Sequence, residues 1–222
     1  MKNTKIETLD KLRSAIRNLE HVPLSDKRSL YSSTGFGHVD SMLPGSGLPL
    51  GSLIELLSDE TSGALSVALQ LSRKAIEGKA AWAVVDTAGS FYPLAAAQHG
   101  LDVEKLIVVR AHPARAAWAF SQLLRCPDVG ASFLCGTSFP ACPGQAGKLA
   151  LLDNMTYRRL QLAAERGGGL GFVLRPAAAI RRPCWAAVRL LVTRASARTL
   201  TVTLLHVRGS NASGSVVLDV DS

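Results

Sequence analysis

From Thr34 onward the chain alternates apolar runs with segments whose apolar residues recur every three or four positions. Residues 52–57 form a strand-like run, and residues 64–76 form a helix-like run joined to it by the polar loop 58–63. The run "AAWAVVD", 80–86, is continuously apolar, as expected of a strand buried on both faces. A helix is expected around 93–99, with Gly100 stopping it, and "KLIVVRA" as the next strand. "PARAAWAFSQLLRC" reads as a helix, "GASFLCGT" as a strand, and "DNMTYRRLQLAAERGG" as a helix capped by Asp153 and ended by glycines. "LGFVLRP" is a strand closed by Pro176. The last two expected strands, "CWAAVRLLVT" and "RTLTVTLLHV", are separated by the short "RASA" and read as an antiparallel hairpin. Repeated β-α-β units make this an α/β protein with a mostly parallel sheet, helices on both faces and the hairpin extending one edge.

Ahead of this pattern, Ile6, Leu9, Leu12, Ile16 and Leu19 recur at helical spacing over residues 4–20. "HVPLSDKRSLYSS" then breaks the period and reads as a linker. The expected division is an N-terminal helix and linker, 1–30, and a core domain, 31–222. A lone helix cannot bury its stripe, so Leu9, Leu12, Ile16 and Leu19 must dock on their own core, on another protein or on another copy.

Composition bounds the function. Apolar residues make up 47% of the 222, which excludes a disordered chain. No apolar stretch nears the roughly 20 residues of a membrane span, so no membrane contact is expected. The first residues mix acids and bases without an apolar core, unlike a secretory signal, so a cytoplasmic location is expected. Cys126, Cys135, Cys142 and Cys184 form no C-x-x-C pair and read as free thiols rather than metal ligands. The formal charge of +8 is uneven. Residues 1–30 carry 7 bases and 4 acids, 31–150 carry 8 and 9, and 151–222 carry 10 arginines and 4 acids. Arginine without lysine favours bidentate contact with phosphate or carboxylate, although a solvated basic face would have the same composition.

The strand–loop–helix at 52–76 is the setting of a phosphate-binding loop, G-x-x-x-x-G-K-[ST]. Yet Ser58 stands at the first glycine position, Gly63 at the second, Ala64 in place of the lysine and Leu65 in place of the Mg²⁺-holding hydroxyl. Backbone amides around Gly63 can still form an anion nest, but Ala64 brings no charge. Asp86, at the end of its strand, is a metal ligand or, more commonly for that position, a cap of the next turn. "GGGLGF" at 167–172 follows a helix and precedes a strand, the reverse of a dinucleotide loop, and reads as a tight turn.

The stretch "STGFGHVDSMLPGSGLPLGSLIELLSDETSGALS", 32–66, resembles the opening of the RecA recombinase core, and the likeness continues through "AVVDTAGSFYPLAAAQHGLDVEKLIVV". More closely, "DSMLPGSGLPLGSLIEL", "LAAAQHGLDVEKLIVVRA", "WAFSQLLRC", "RRLQLAAERGGGLGFVLRP" and "CWAAVRLLVTR" resemble the ImuA family, RecA-like proteins encoded beside error-prone polymerases. The resemblance covers about residues 30–208 and implies a RecA-like, P-loop-type core. Aligned on it, Cys135 or Gly136 stands at the Walker B aspartate and Ala88 at the catalytic glutamate. It therefore implies a pseudo-ATPase without cofactor or metal, serving as an accessory factor in mutagenic translesion synthesis within the SOS response. Implied partners are an ImuB-like polymerase homologue, its error-prone replicative-type polymerase subunit and RecA, with self-association through the N-terminal helix.

In RecA-like cores DNA contacts lie beyond the strand ends. This nominates Arg158 and Arg159, then Arg175, Arg181 and Arg182 around the loop before the hairpin, and Arg189 and Arg194 on the hairpin, as a non-specific DNA surface. Two other functions remain open on the same fold. One is a SulA-like cell-division inhibitor that binds FtsZ. The other is a divergent ATPase in which Lys74 or Lys79 reaches the loop.

Overall fold

A strand leaves two faces and two edges to be accounted for, and most of the chain is arranged around one large sheet. The computed structural model describes residues 30–59, 63–135, 152–182 and 184–219. β1 (Tyr31–Ser32) pairs antiparallel with β2 (Leu48–Pro49), and α1 (Gly37–Met42) lies between them. The core then runs β3 (Ser52–Ser58), α2 (Ala64–Ile76), β4 (Ala81–Asp86), α3 (Pro93–Gln98), β5 (Leu106–Arg110), α4 (Pro113–Leu124) and β6 (Val129–Cys135). It continues with α5 (Asn154–Gly167), β7 (Leu170–Pro176), β8 (Val188–Arg194), β9 (Thr199–Val207) and β10 (Gly214–Asp219).

Eight strands form one sheet in the order β10-β9-β8-β3-β7-β6-β4-β5. From β8 to β5 every pairing is parallel, and β9 and β10 add antiparallel to the β8 edge. The expected α/β class, flanking helices and hairpin are all present, and the architecture is that of a RecA-like α/β core. One strand is additional to the sequence expectation. β10, "GSVVLD", pairs with β9 from Gly214↔Leu204 to Asp219↔Thr199, so the hairpin is the inner part of a three-stranded antiparallel extension. The expected helix at 4–20, with Leu9, Leu12, Ile16 and Leu19, lies outside the described residues.

Both sheet faces are covered where the strands are uniformly apolar. Ile54, Leu56, Trp82, Val84, Phe133 and Phe172 belong to the core that packs against α2. Leu53, Val85, Leu134 and Val173 point to the other side, against Ala116, Phe120, Tyr157 and Leu160 of α4 and α5. On the first side Phe133 stacks on Phe172 with centroids 5.1 Å apart, and Trp82 meets Phe133 edge-on at 6.1 Å. The Trp82 indole N–H, which burial would otherwise orphan, donates to the Asp102 carbonyl at 2.7 Å. On the second side α5 ends against α4 at Gly167, where a Cβ would lie 2.0 Å from the Leu124 carbonyl oxygen. Only glycine allows that approach. No helix among the described residues is long and apolar enough to cross a membrane.

Candidate functional site

Parallel sheets of this kind place ligand sites beyond the carboxyl ends of their strands. Here those ends are Ser58, Asp86, Arg110, Cys135, Pro176 and Arg194. Gly63 precedes α2 with φ +72°, a left-handed conformation that favours glycine, and it offers the helix no side-chain cap. A Cβ at Gly63 would lie 3.1 Å from Leu200 Cδ1 and 3.9 Å from Arg194 Nη2, so the hairpin crowds this loop. Ala64 is buried in the core and the half-buried Leu65 packs against it. The two positions that would carry a phosphate-binding lysine and a hydroxyl hold apolar side chains turned to internal packing. Lys74 and Lys79 are committed elsewhere: Lys74 pairs with Glu77 at 2.9 Å, and Lys79 donates to the Pro127 carbonyl at 2.9 Å. Lys74 lies near the far end of α2 from this loop.

Asp86 is 3% exposed, and three backbone amides donate to its carboxylate. Ala88 and Gly89 N–H bond Oδ1 at 3.1 and 2.9 Å, and Phe91 N–H bonds Oδ2 at 2.9 Å. This is the turn-capping alternative for Asp86, with the acid serving as the template of the loop between β4 and α3. Cys135 beside it is buried, and burial, aided by the Asp86 charge, pushes its thiol up to about 12. At neutral pH it is therefore a neutral, inert thiol. Among the described residues no group of three or more histidine, cysteine or acidic side chains is placed to hold a metal ion.

The strongest electrostatics lie one layer inside the sheet. Glu55, at the middle of β3, is fully buried and faces α5. Arg175 Nη1 of β7 donates to Glu55 Oε1 at 2.7 Å, Arg189 Nε of β8 donates to Oε2, and the Tyr157 hydroxyl of α5 donates to Oε1 at 2.8 Å. The Arg175 guanidinium also lies 5.7 Å from the Tyr157 ring centroid. Burial alone would raise the Glu55 pKa, but the hydrogen bonds from Arg175, Arg189 and Tyr157 outweigh it and hold the carboxyl below its ordinary value. Tyr157 is pushed far up by burial and by the Glu55 charge. Burial together with the same charge lifts the Cys184 thiol to about 11.

This geometry corrects two of the nominated DNA contacts. Arg175 is 2% exposed, and Arg189 is mostly buried and paired, so neither offers a surface cation to a phosphate. A long guanidinium inside a doubly covered sheet needs an internal carboxylate, and Glu55 is that partner. Arg189 instead reaches outward with its other nitrogens, donating to the Ala179 and Ile180 carbonyls at 2.9 and 3.0 Å. Those residues belong to the short 3-10 turn Ala177–Arg181, so the network anchors the turn on which Arg181 and Arg182 are exposed. Arg158 and Arg159 are exposed on α5. Arg194 donates to the Ala197 carbonyl inside the β8–β9 turn at 3.2 Å. Glu55 was not among the nominated residues. Its signal is a lone acid inside the apolar strand "SLIELLS", matched by a lone arginine inside "FVLRP".

No protein-family model matches the chain. Among curated proteins it is similar to RecA of Mycoplasma pneumoniae, with 36% identity over 89 residues, 40% of this chain and 26% of that protein. It is also similar to RecA of Rhodopirellula baltica, with 29% identity over 92 residues, 41% of this chain and 24% of that protein. The chain thus spans about a quarter of the length of these curated relatives. The likeness is to part of RecA, and it agrees with the sheet observed.

Glu55→Gln keeps the shape of the side chain and removes the charge that two buried arginines require. The expected cost is about 3–5 kcal/mol in urea unfolding, the usual loss when a buried pair is broken. The sign of the pH dependence follows from the lowered Glu55 pKa. Its stabilisation is complete above the unfolded glutamate value, about 4.3, and is lost as pH falls through the lower folded value. The variant should therefore show a shallower fall in stability across that acidic window than the wild type.

Proposed function

We propose that this chain is a non-catalytic RecA-like accessory protein of mutagenic translesion DNA synthesis in the DNA-damage response. The observation that carries the reading is the committed state of the strand ends. Asp86 is occupied by three amides, Cys135 is a buried thiol, and Ala64 and Leu65 serve the core. ATP hydrolysis needs a cation on the β- and γ-phosphates, a hydroxyl and a carboxylate for Mg²⁺, and a group that orients water. The similarity to RecA supports a role alongside DNA, and the segments resembling ImuA narrow that role to mutagenic synthesis. On this reading the partners are an ImuB-like polymerase homologue, its error-prone polymerase subunit and RecA. The exposed Arg158, Arg159, Arg181 and Arg182 supply a weak, sequence-independent DNA contact.

Three measurements test this. The purified chain should turn over no ATP above background and show no saturable nucleotide binding by calorimetry. Turnover that disappears when Gly63 is changed would overturn the non-catalytic reading. Arg181→Ala with Arg182→Ala should weaken DNA binding equally across sequences and flatten its salt dependence by about 0.9 log units per arginine. An unchanged slope would remove the turn from the DNA surface. Affinity capture of the full chain from DNA-damaged cells should recover the ImuB-like protein and its polymerase; FtsZ in their place would select a division inhibitor.

A further inference from the structure

The buried cluster holds one cation more than the charge of its acid calls for. Arg175 Nη1 already neutralises Glu55 at 2.7 Å, and the Tyr157 hydroxyl shares the same oxygen at 2.8 Å. A second guanidinium adds desolvation cost without improving that charge balance. Arg189 acts at its other end. It stands directly opposite Glu55 in the parallel β3–β8 register, so the two side chains share a face. The β8–β9 ladder is interrupted at this residue: Arg189 faces His206 and Leu190 faces Leu204, leaving Leu205 as an extra residue. Such bulges re-aim the side chains beside them. From this position Nε donates to Glu55, while Nη1 and Nη2 donate to the Ile180 and Ala179 carbonyls at 3.0 and 2.9 Å. One rigid plane thus spans from the buried acid to two successive carbonyls of the turn Ala177–Arg181.

The turn has little else to fix it. It has no side-chain cap, and the Arg182 N–H closes it on the Ala179 carbonyl at 2.9 Å. Of its five residues only Ala179 is buried, and Ile180 is 40% exposed. One buried methyl group contributes little toward ordering such a segment. We propose that Arg189 is a positioning residue, which fixes this turn against the Glu55 cluster so that Arg181 and Arg182 are preset for an anionic chain. The inference rests on the DNA contact proposed above for those two arginines. Tyr157 refers α5 to the same carboxylate, and the exposed Arg158 and Arg159 follow it in sequence. Both basic elements are thereby held in fixed relation by one buried acid. A preset surface gives up less conformational freedom on binding than one that must first be ordered. Lysine cannot substitute in this task, because an ammonium head has no plane with separate donors for an acid and two carbonyls.

The test uses the full chain with two variants that each leave a donor facing Glu55. Arg189→Lys keeps a cation there, and Arg189→Gln keeps an amide with Arg175 as the remaining cation. Both should speed amide hydrogen exchange over residues 177–182 by about tenfold or more, with β3 and β7 unchanged. Tryptic cleavage after Arg181 should accelerate alongside. Both should also weaken binding of a labelled oligonucleotide by about fivefold, as the turn must then be ordered on contact. In Arg189→Lys the slope of log affinity against log salt should stay at the wild-type value, because no phosphate contact is lost. Val192→Ala, which opens the buried core of the same strand and costs stability, should move neither the turn nor the affinity. A turn that exchanges as in wild type in both Arg189 variants overturns the proposal. So does an equal effect of Val192→Ala, which would make the loss one of general stability. A salt slope flattened in Arg189→Lys would make Arg189 itself a phosphate contact and would overturn it too. A wild type without DNA affinity removes the DNA reading and this role with it. A wild type that binds, beside a loosened Arg189→Lys that binds as tightly, removes the positioning role alone.

Discussion

A carboxylate held away from water between two guanidinium groups is the constraint around which the central strands are arranged. Glu55 has no exposed surface, and its desolvation would be prohibitive without compensation. β7 and β8 flank β3 and each sends one arginine to it, while α5 sends a tyrosine hydroxyl. Two cations on one anion leave an excess of positive charge, and Arg189, the more exposed of the two, satisfies its remaining donors on the Ala179 and Ile180 carbonyls at the rim. The register of three parallel strands, the placement of α5 and the anchoring of the Ala177–Arg181 turn are thereby tied to one carboxylate. Apolar packing alone tolerates exchange among similar side chains, whereas this cluster fails if any one donor is displaced.

The same economy governs the strand ends. A phosphate-handling site keeps charged groups unsatisfied until the ligand arrives; here the comparable positions are already satisfied from within. Asp86 has its acceptors filled by the amides of the loop that follows it, Cys135 is held neutral, and Ala64 completes the core beneath α2. The surface charge beyond them is carried by exposed arginines on a turn and a helix, groups suited to meeting a partner rather than to holding a metal–phosphate centre. On the proposed reading, this division between strand ends satisfied from within and a basic rim suits binding rather than ATP chemistry.

The sequence made the parallel part of the sheet legible because uniformly apolar runs such as "AAWAVVD" and "LGFVLRP" need cover on both faces, which β-α-β units provide. Helix starts were equally readable: Asp153 does accept the Thr156 N–H at 2.7 Å, and Pro113 does open α4. β10 was hidden because "GSNASGSVVLD" begins in turn-forming residues and its short alternation resembles loop composition. The arginines were the harder case. Sequence gives their number and order but not their direction, and a charge on a strand can turn inward only if a partner exists on another strand. Arg175 and Glu55 are 120 residues apart, so no local pattern joins them. Arg181 and Arg182, at the end of the short turn Ala177–Arg181 and just after it, are exposed because a short surface turn offers its charged side chains no carboxylate inside the sheet.

Where pattern and exposure disagree, the disagreement is informative. β9 alternates "TLTVTLLHV", and its burial alternates with it, since one face of the antiparallel extension packs on the core and the other meets water. β5 is written like a strand buried on both faces, yet among the described residues it has a neighbour on one side only. A continuous aliphatic run is favoured only where both faces lose water, and an isolated chain leaves Ile107 and Val108 without that benefit.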